Sequence, residues 1–404
     1  MKRLSLAKTV RILSAIVLIS LEFTCLFPFL AEGGNSPVTV ERSRYSLYFA
    51  AYGICAFIVA FDFKSAIGFL ERPLVRWAFA AVMLFTWGML VRVFNAPAGI
   101  EDYLFFRLFA LQLNSIGFLL CCTMIFGDPD VLLIAKWAVA VATLVGVVLN
   151  IYDFTFPGFF CYYPGRAAGL YVDPNISGIS LVFGCVIGLR AIRRPWWQEA
   201  FVLVSFIGVL VTFSREALLA FGCVLVGGNL AGRWRLGRLV VACGLGVVLF
   251  VALNVGDNLL SEKLATSDNW SRLTSHSDPS AKSRVDVAEQ TLDAFEEAPI
   301  LGQGFGTTIF WDQGRLGSHN YYLALLADHG VIGIFLIPAL LLSIGRKCWD
   351  FYGFAAAFLV FCLFYHDVFS VVAVLISLAI EAAEAYPRHL VYDPKPRSLI
   401  YGRN

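Results

Sequence analysis

The sequence predicts an all-α, polytopic integral membrane protein with about twelve transmembrane helices and one large polar loop late in the chain. Three observations carry this reading. Of 404 residues, 59% are hydrophobic and only 15% charged, with a mean hydropathy of +0.74, whereas a soluble domain carries roughly 25% charged residues. Apolar runs long enough to cross a bilayer recur along the chain, and basic residues fall in alternate gaps between them. Lys and Arg number 31 against 29 Asp and Glu, so no basic domain is set aside for nucleic acid, and the cations have a topological role instead.

The apolar runs lie at about 10–31, 45–62, 74–95, 103–126, 131–152 and 175–190. Further runs lie at about 196–213, 215–231, 237–255, 319–344, 351–366 and 368–385. A helix needs about 20 apolar residues to cross the hydrocarbon core, so the long 196–231 stretch is divided at Ser214-Arg215. The N-terminal MKRLSLAKTVR and the run after it look like a signal peptide. That run is longer than an h-region and no small-residue cleavage site follows it, so it is read as the first transmembrane helix. Lys2, Arg3, Lys8 and Arg11 place the N-terminus in the cytoplasm. The even-numbered gaps are basic in turn, with Lys64, Arg72 and Arg76, then Arg190, Arg193 and Arg194, then Arg233, Arg235 and Arg238, then Arg346 and Lys347. The weak one is 127–130, with Lys136 just beyond it. The expected layout is helices one to nine over 1–255, a loop over 256–318, helices ten to twelve over 319–385 and a cytoplasmic tail over 386–404. Segments 32–44, 153–174, Ser214-Arg215, 256–318 and His366-Asp367 fall on the far side.

Within the loop, Ser280–Glu297 reads as an amphipathic helix, with Val285, Ala288, Leu292 and Phe295 at helical spacing and acidic residues opposite. Pro299 and Gly302, Gly304 and Gly306 end it. No strand-rich region and no internal repeat is visible.

Arg215, in TFSREALLAF, stands where one helix ends and the next begins. A cation there opposes the helix dipole in a place rich in free backbone N–H groups, which makes sense if an anion binds between them. The alternative is an interfacial arginine that snorkels to headgroups. His319 is expected in the first turn of its helix behind Ser318 as N-cap. The positive helix end would favour the neutral imidazole that accepts a proton from a hydroxyl. Histidines at helix ends also serve as caps or packing, and Asp328, His329 and His366-Asp367 compete for the role. His329, about three turns in, is a candidate buried partner. Arg284, early in the loop helix, is by itself a solvated helix residue. Arg166, in YYPGRAAGLYVDPNISG, is a second candidate anion contact, while Asp173 and Asn175 read as a turn and helix cap.

Three motifs fail. Asp128-Pro129-Asp130 has the D-x-D spacing of metal-using sugar transferases but reads as a turn with a helix start in a very short loop. GQGFG lacks the third glycine and the preceding strand of a dinucleotide site. No HExxH or other ligand cluster is present, so neither a metal nor another cofactor is expected. The ten cysteines lie almost all in hydrophobic runs, none in a CxxC pair, and read as buried thiols.

With these residues in view, the chain resembles the bacterial O-antigen ligase and polymerase superfamily. GLYVDPNISG, the SRE of TFSREALLAF, SRVDVAEQTLDAFEEAPILGQGFG and SHNYYLALLADHGVIGI occur in the family's order over about residues 165–335. The resemblance implies an inner-membrane, metal-independent glycosyltransferase of the GT-C type that acts at the periplasmic face. Its donor would be a glycan on undecaprenyl diphosphate, and its acceptor a hydroxyl of lipid A-core or of another lipid-linked glycan. The family's arginine at the SR turn, arginine in the loop helix and histidine opening the next helix fall on Arg215, Arg284 and His319. Arg166, Asn320 and His329 are the further substrate-contact candidates. The leading reading is a ligase and the alternative a polymerase of lipid-linked repeat units. A polysaccharide-lipid transporter is the reading from a different class, disfavoured because transporters usually show paired repeats and interrupted helices.

Overall fold

The computed structural model describes residues 6–31, 40–95, 102–157, 159–161, 165–232, 279–309, 318–346 and 348–386. The span expected at 237–255 and the first part of the loop lie outside the described residues. The chain runs through α1 (Leu6–Leu18), a π-helical turn (Ile19–Phe23), α2 (Leu26–Ala31), α3 (Val40–Phe61), α4 (Phe63–Leu70), α5 (Pro73–Asn95) and α6 (Asp102–Ile125). It continues through α7 (Pro129–Thr155), α8 (Pro174–Leu189), α9 (Pro195–Leu210) and α10 (Arg215–Leu230). After residue 278 come α11 (Pro279–Glu297), α12 (Tyr321–His329), a 3-10 segment (Gly330–Phe335), α13 (Leu336–Ile344), α14 (Trp349–Phe364) and α15 (Val372–Ala385).

Local sequence explains the helix starts. Pro129, Pro174 and Pro195 occupy the first helical position, where a missing N–H leaves no bond unmade. Asp128 caps α7 by accepting from Asp130 and Val131 N–H at 3.0 and 3.4 Å, so the D-x-D is a turn and helix start. Asp173 caps α8 in the same way, at 2.7 and 3.1 Å from Asn175 and Ile176 N–H.

Among the described residues, four helical stretches are long and apolar enough to cross a membrane: Pro73–Asn95, Phe105–Ile125, Pro129–Thr155 and Tyr321–Ile344. Tyr45–Phe61, Pro174–Leu189, Pro195–Leu210 and Trp349–Phe364 are shorter apolar helices. α5 turns Phe79, Met83, Leu90 and Phe94 outward, and α7 turns Val141, Leu144, Val148 and Ile151 outward. Such stripes are costly in water and suit hydrocarbon. The chain is therefore an all-α, multi-pass membrane protein. α8 and α15 are buried along almost their whole lengths and form the middle of the bundle. α10 lies against α14, where a Cβ on Gly227 would come within 2.6 Å of the Gly353 Cα.

Four expectations need correction. The first apolar run is not one helix: a π-helical turn and Cys25, at φ 56°, break it. The run at 319–344 is interrupted after His329, with Gly330 at φ 66° and a 3-10 segment before α13. On α11, the buried face is Val287, Thr291 and Ala294, while Val285 and Leu292 are exposed. The apolar stripe is wide, and packing on α12 selects its other edge. Finally, Asn320 rather than Ser318 is the N-cap of α12, accepting from Tyr322 and Leu323 N–H at 3.0 and 3.2 Å. His319 thus sits just before the cap, outside the helix.

The interruption in the Tyr321–Ile344 span is filled by the segment after α11. Val331 N–H donates to the Pro299 carbonyl at 2.8 Å, Gln303 N–H to Ala327 at 2.7 Å, and Phe305 N–H to Gly88 of α5 at 2.8 Å. The Asp328 carboxylate accepts from Gly306 N–H at 2.8 Å and Thr308 N–H at 3.4 Å. Gly304 has φ 103°, and a Cβ there would lie 2.5 Å from the Arg92 nitrogen. Irregular backbone at this depth is tolerated because protein groups satisfy it.

Candidate active site

One end of the bundle gathers most of the candidate residues. Between α9 and α10, Val211–Phe213 turns sharply, with Phe213 at φ 50°, and Ser214 caps α10 by accepting the Ala217 N–H at 3.3 Å. Arg215 is the first residue of that helix and is exposed. Arg166 braces the same turn: its Nε donates to the Thr212 carbonyl at 2.9 Å and its Nη2 to Asn175 Oδ1 at 2.6 Å. The loop carrying Arg166 is held by Asp153, fully buried at the end of α7. Its two oxygens accept from Phe160, Cys161, Ala168 and Gly169 N–H at 2.9–3.3 Å. Arg166, on its own loop, thus holds the turn that leads into Arg215 to the capped start of α8.

His319 faces His366, in the loop between α14 and α15, with ring centroids 5.6 Å apart and planes at 84°. His366 in turn stacks on Tyr365 at 5.0 Å. Burial, then the Arg284 guanidinium, then His366 push His319 down to about 4, so its imidazole is neutral at pH 7. Burial is the largest cause, whereas the sequence pointed to the helix end. Burial also lowers His366, but Asp367 and Asp173 act in the opposite sense. Arg284 is half-buried, and among the described residues its Nε has no hydrogen-bond partner. The fold therefore brings together Arg284, His319 and His366, with Asp173 of the α8 start close enough to act on the last of these.

Two further candidates are placed differently. The Asn320 side-chain oxygen is used in capping α12. His329 is buried two turns deeper, with Phe85 and Phe305 at ring-centroid distances of 5.5 and 6.2 Å. Gln112 of α6, which sequence reasoning passed over, donates to Asp367 Oδ1 at 2.6 Å. Its position inside an apolar run was a usable signal, because polar residues at membrane depth are costly and tend to be functional.

Comparison with known proteins follows the same residues. Residues 200–338 match the family model described as O-Antigen ligase. The chain resembles the O-antigen ligase and polymerase superfamily. The matched stretch contains Arg215, Arg284, His319, Asn320 and His329, and leaves out Arg166. A curated relative, the O-antigen polymerase of Salmonella muenchen, is 24% identical over 187 residues, which cover 42% of this chain and 44% of that protein. The similarity thus spans less than half of that relative. The ordered motifs read from the sequence and the family match point to the same superfamily.

Proposed function

We propose that this chain is a membrane glycosyltransferase that moves a glycan from undecaprenyl diphosphate to an acceptor hydroxyl, of O-antigen ligase type with lipid A-core or a similar acceptor. The observation that carries this is a histidine kept neutral beside a half-buried guanidinium whose Nε has no partner among the described residues. A cation held like that fits an incoming anion, and the neutral imidazole next to it fits a proton acceptor.

In the proposed reaction, Arg284 and Arg215 hold the diphosphate and stabilise the charge that grows on it as the sugar–phosphate bond breaks, a task suited to bidentate guanidinium groups. His319 takes the proton of the acceptor hydroxyl as its oxygen attacks the anomeric carbon. Donor binding also tunes the base. The same Arg284 charge that disfavours imidazolium is offset once the diphosphate is bound, so His319 becomes more basic with donor in place. The guanidinium pair supplies the charge neutralisation, so the proposal needs no metal. Arg166 positions the Arg215 turn, and Asn320 sets the end of α12 directly after His319.

The topology that goes with this reading has twelve spans and a GT-C-like arrangement in the inner membrane. Both termini are cytoplasmic, and the His319 end faces the periplasm. Polymerisation of lipid-linked repeat units uses the same chemistry, and the similarity to the Salmonella muenchen polymerase favours keeping it as the second reading. The interrupted span resembles a transporter feature, but its unwound backbone is bonded by Pro299–Thr308 of the same chain, which favours transfer over transport. The test is purified protein with undecaprenyl-diphosphate-linked oligosaccharide, with and without lipid A-core. A shifted lipid A band only with acceptor present supports the ligase. A ladder of lengthening glycan without it supports the polymerase, and intact donor in both tubes rejects transfer.

A further inference from the structure

Beneath the His319–His366 pair lies a narrow cavity of about 30 Å³, lined in part by Gln112, Thr308, Asp328, His329, His366 and Asp367. A water requires roughly 10–15 Å³ on this scale, so the cavity admits about two waters and is far too small for a sugar ring. Among the described residues, Gln112 Oε1, His329 Nδ1 and His366 Nδ1 are buried with no hydrogen-bond partner. Buried polar atoms of this kind are satisfied by ordered water where the space allows.

His366 is the residue common to both places. One side of it meets the His319 ring, and it also forms part of the cavity wall. We infer that His366 and the water held in this cavity carry the acceptor's proton away from His319 after glycosyl transfer, which makes His366 a relay residue.

The charges around the two rings give the relay a direction. His319 faces Arg284 from α11 and His366, and both disfavour its protonated form. Burial lowers His366 as well, but it faces Asp367 on its own loop and Asp173 from the start of α8, and both act to favour its protonated form, where His319 has no such carboxylate among the described residues. The cavity beyond adds Asp328 and His329 from α12 and Gln112 from α6. In the transfer step, the acceptor oxygen bonds to the anomeric carbon and the sugar–phosphate bond breaks with its electron pair going to the diphosphate. The hydroxyl proton goes to one nitrogen of His319. The proton on the other nitrogen then passes to His366 and the cavity water, and His319 is neutral again for the next acceptor.

The inference rests on the transferase reading, and one set of assays separates the two. His366→Gln should lower kcat about 10- to 100-fold, less than the roughly 10²–10⁴-fold of a group that meets the reacting hydroxyl directly. The KM for donor should stay unchanged, and added imidazole should restore part of the rate. Gln112→Leu, which removes a cavity water ligand, should lower kcat less and respond to imidazole in the same way. In wild-type single turnovers, the rate should depend non-linearly on the deuterium fraction of the solvent, as when more than one proton is in flight. This last measurement keeps the idea testable should His366→Gln fail to fold. Transfer by wild type with an unchanged kcat in His366→Gln, a loss that imidazole leaves untouched, or a linear deuterium dependence overturns the relay alone. Donor left intact by the wild-type protein removes the transferase reading and the relay with it.

Discussion

The two ends of α8 and α15 use ionisable residues in opposite ways. Where these helices finish, Arg190 meets Glu381 at 2.6 Å and Glu384 at 3.1 Å. Arg346 meets the same two carboxylates at 2.6 and 3.0 Å, and Lys136 meets Glu384 at 2.9 Å. Every cation in that group has a carboxylate within bonding distance, and Glu381 is fully buried. Where the helices begin, His319 is buried beside the Arg284 guanidinium and the His366 ring, which disfavour its charge, while Asp367 and Asp173 face His366. Reciprocal pairs tie α7, α8, α13 and α15 together, each charge matched by an opposite one. At the other end the Arg284 guanidinium faces a neutral base instead of a carboxylate, and under the proposed function a diphosphate would pair with it. Charged residues at membrane depth are thus not all equal evidence of function, and their pairing separates the two cases.

Four predictions test this contrast. The largest effect is expected for His319→Gln, which should lower kcat by about 10²–10⁴-fold while donor still binds, as measured by turnover against donor affinity. Next, Glu381→Ala should destabilise the fold by about 3–5 kcal/mol, because it leaves buried cations unpaired. Thermal unfolding in detergent would report it, and kcat/KM of the folded protein should be nearly unchanged. A large loss of kcat/KM at unchanged stability would break the comparison.

Arg284→Lys keeps the charge and loses the fork, so kcat should fall by about one order of magnitude while the fold holds; unchanged kinetics would reduce Arg284 to a solvated helix residue. The smallest effect is on pH dependence. His319 must be neutral to accept a proton, and its value of about 4 keeps it neutral well below the usual imidazole range. The acid limb of kcat/KM, which reports free enzyme, should therefore lie near pH 4. The limb of kcat, with the diphosphate offsetting Arg284, should lie higher. Arg284→Gln should move the kcat/KM limb upward and Glu381→Gln should leave it in place.

Much of the framework was legible beforehand. The helix ends at Asp128-Pro129, Asp173-Pro174 and Ser214-Arg215 follow from capping residues and proline, which act within a few positions of themselves. The loop helix over 280–297 agrees with α11 at Pro279–Glu297, since amphipathic spacing is also local. Its buried edge was misjudged because several adjacent stripes are apolar, and only the partner helix selects among them. The break at Gly330 was hidden because the 319–344 run stays apolar through it. It arises from a segment some thirty residues earlier in the chain.

By itself, then, the sequence determined that the chain is helical and membrane-embedded. It also determined where several helices start, and the resemblance of its ordered motifs to a known family marked Arg215, Arg284 and His319 as candidates. These properties rest on composition, on capping and on short ordered motifs, all read within one turn or one span. The tertiary structure alone decided that His366 meets His319, that Gln112 reaches Asp367, that Asp328 clasps the Pro299–Thr308 segment and that Arg190 is matched by Glu381. Each of these is a contact between residues far apart in sequence, and the burial that sets a buried group's charge state exists only once the helices have packed.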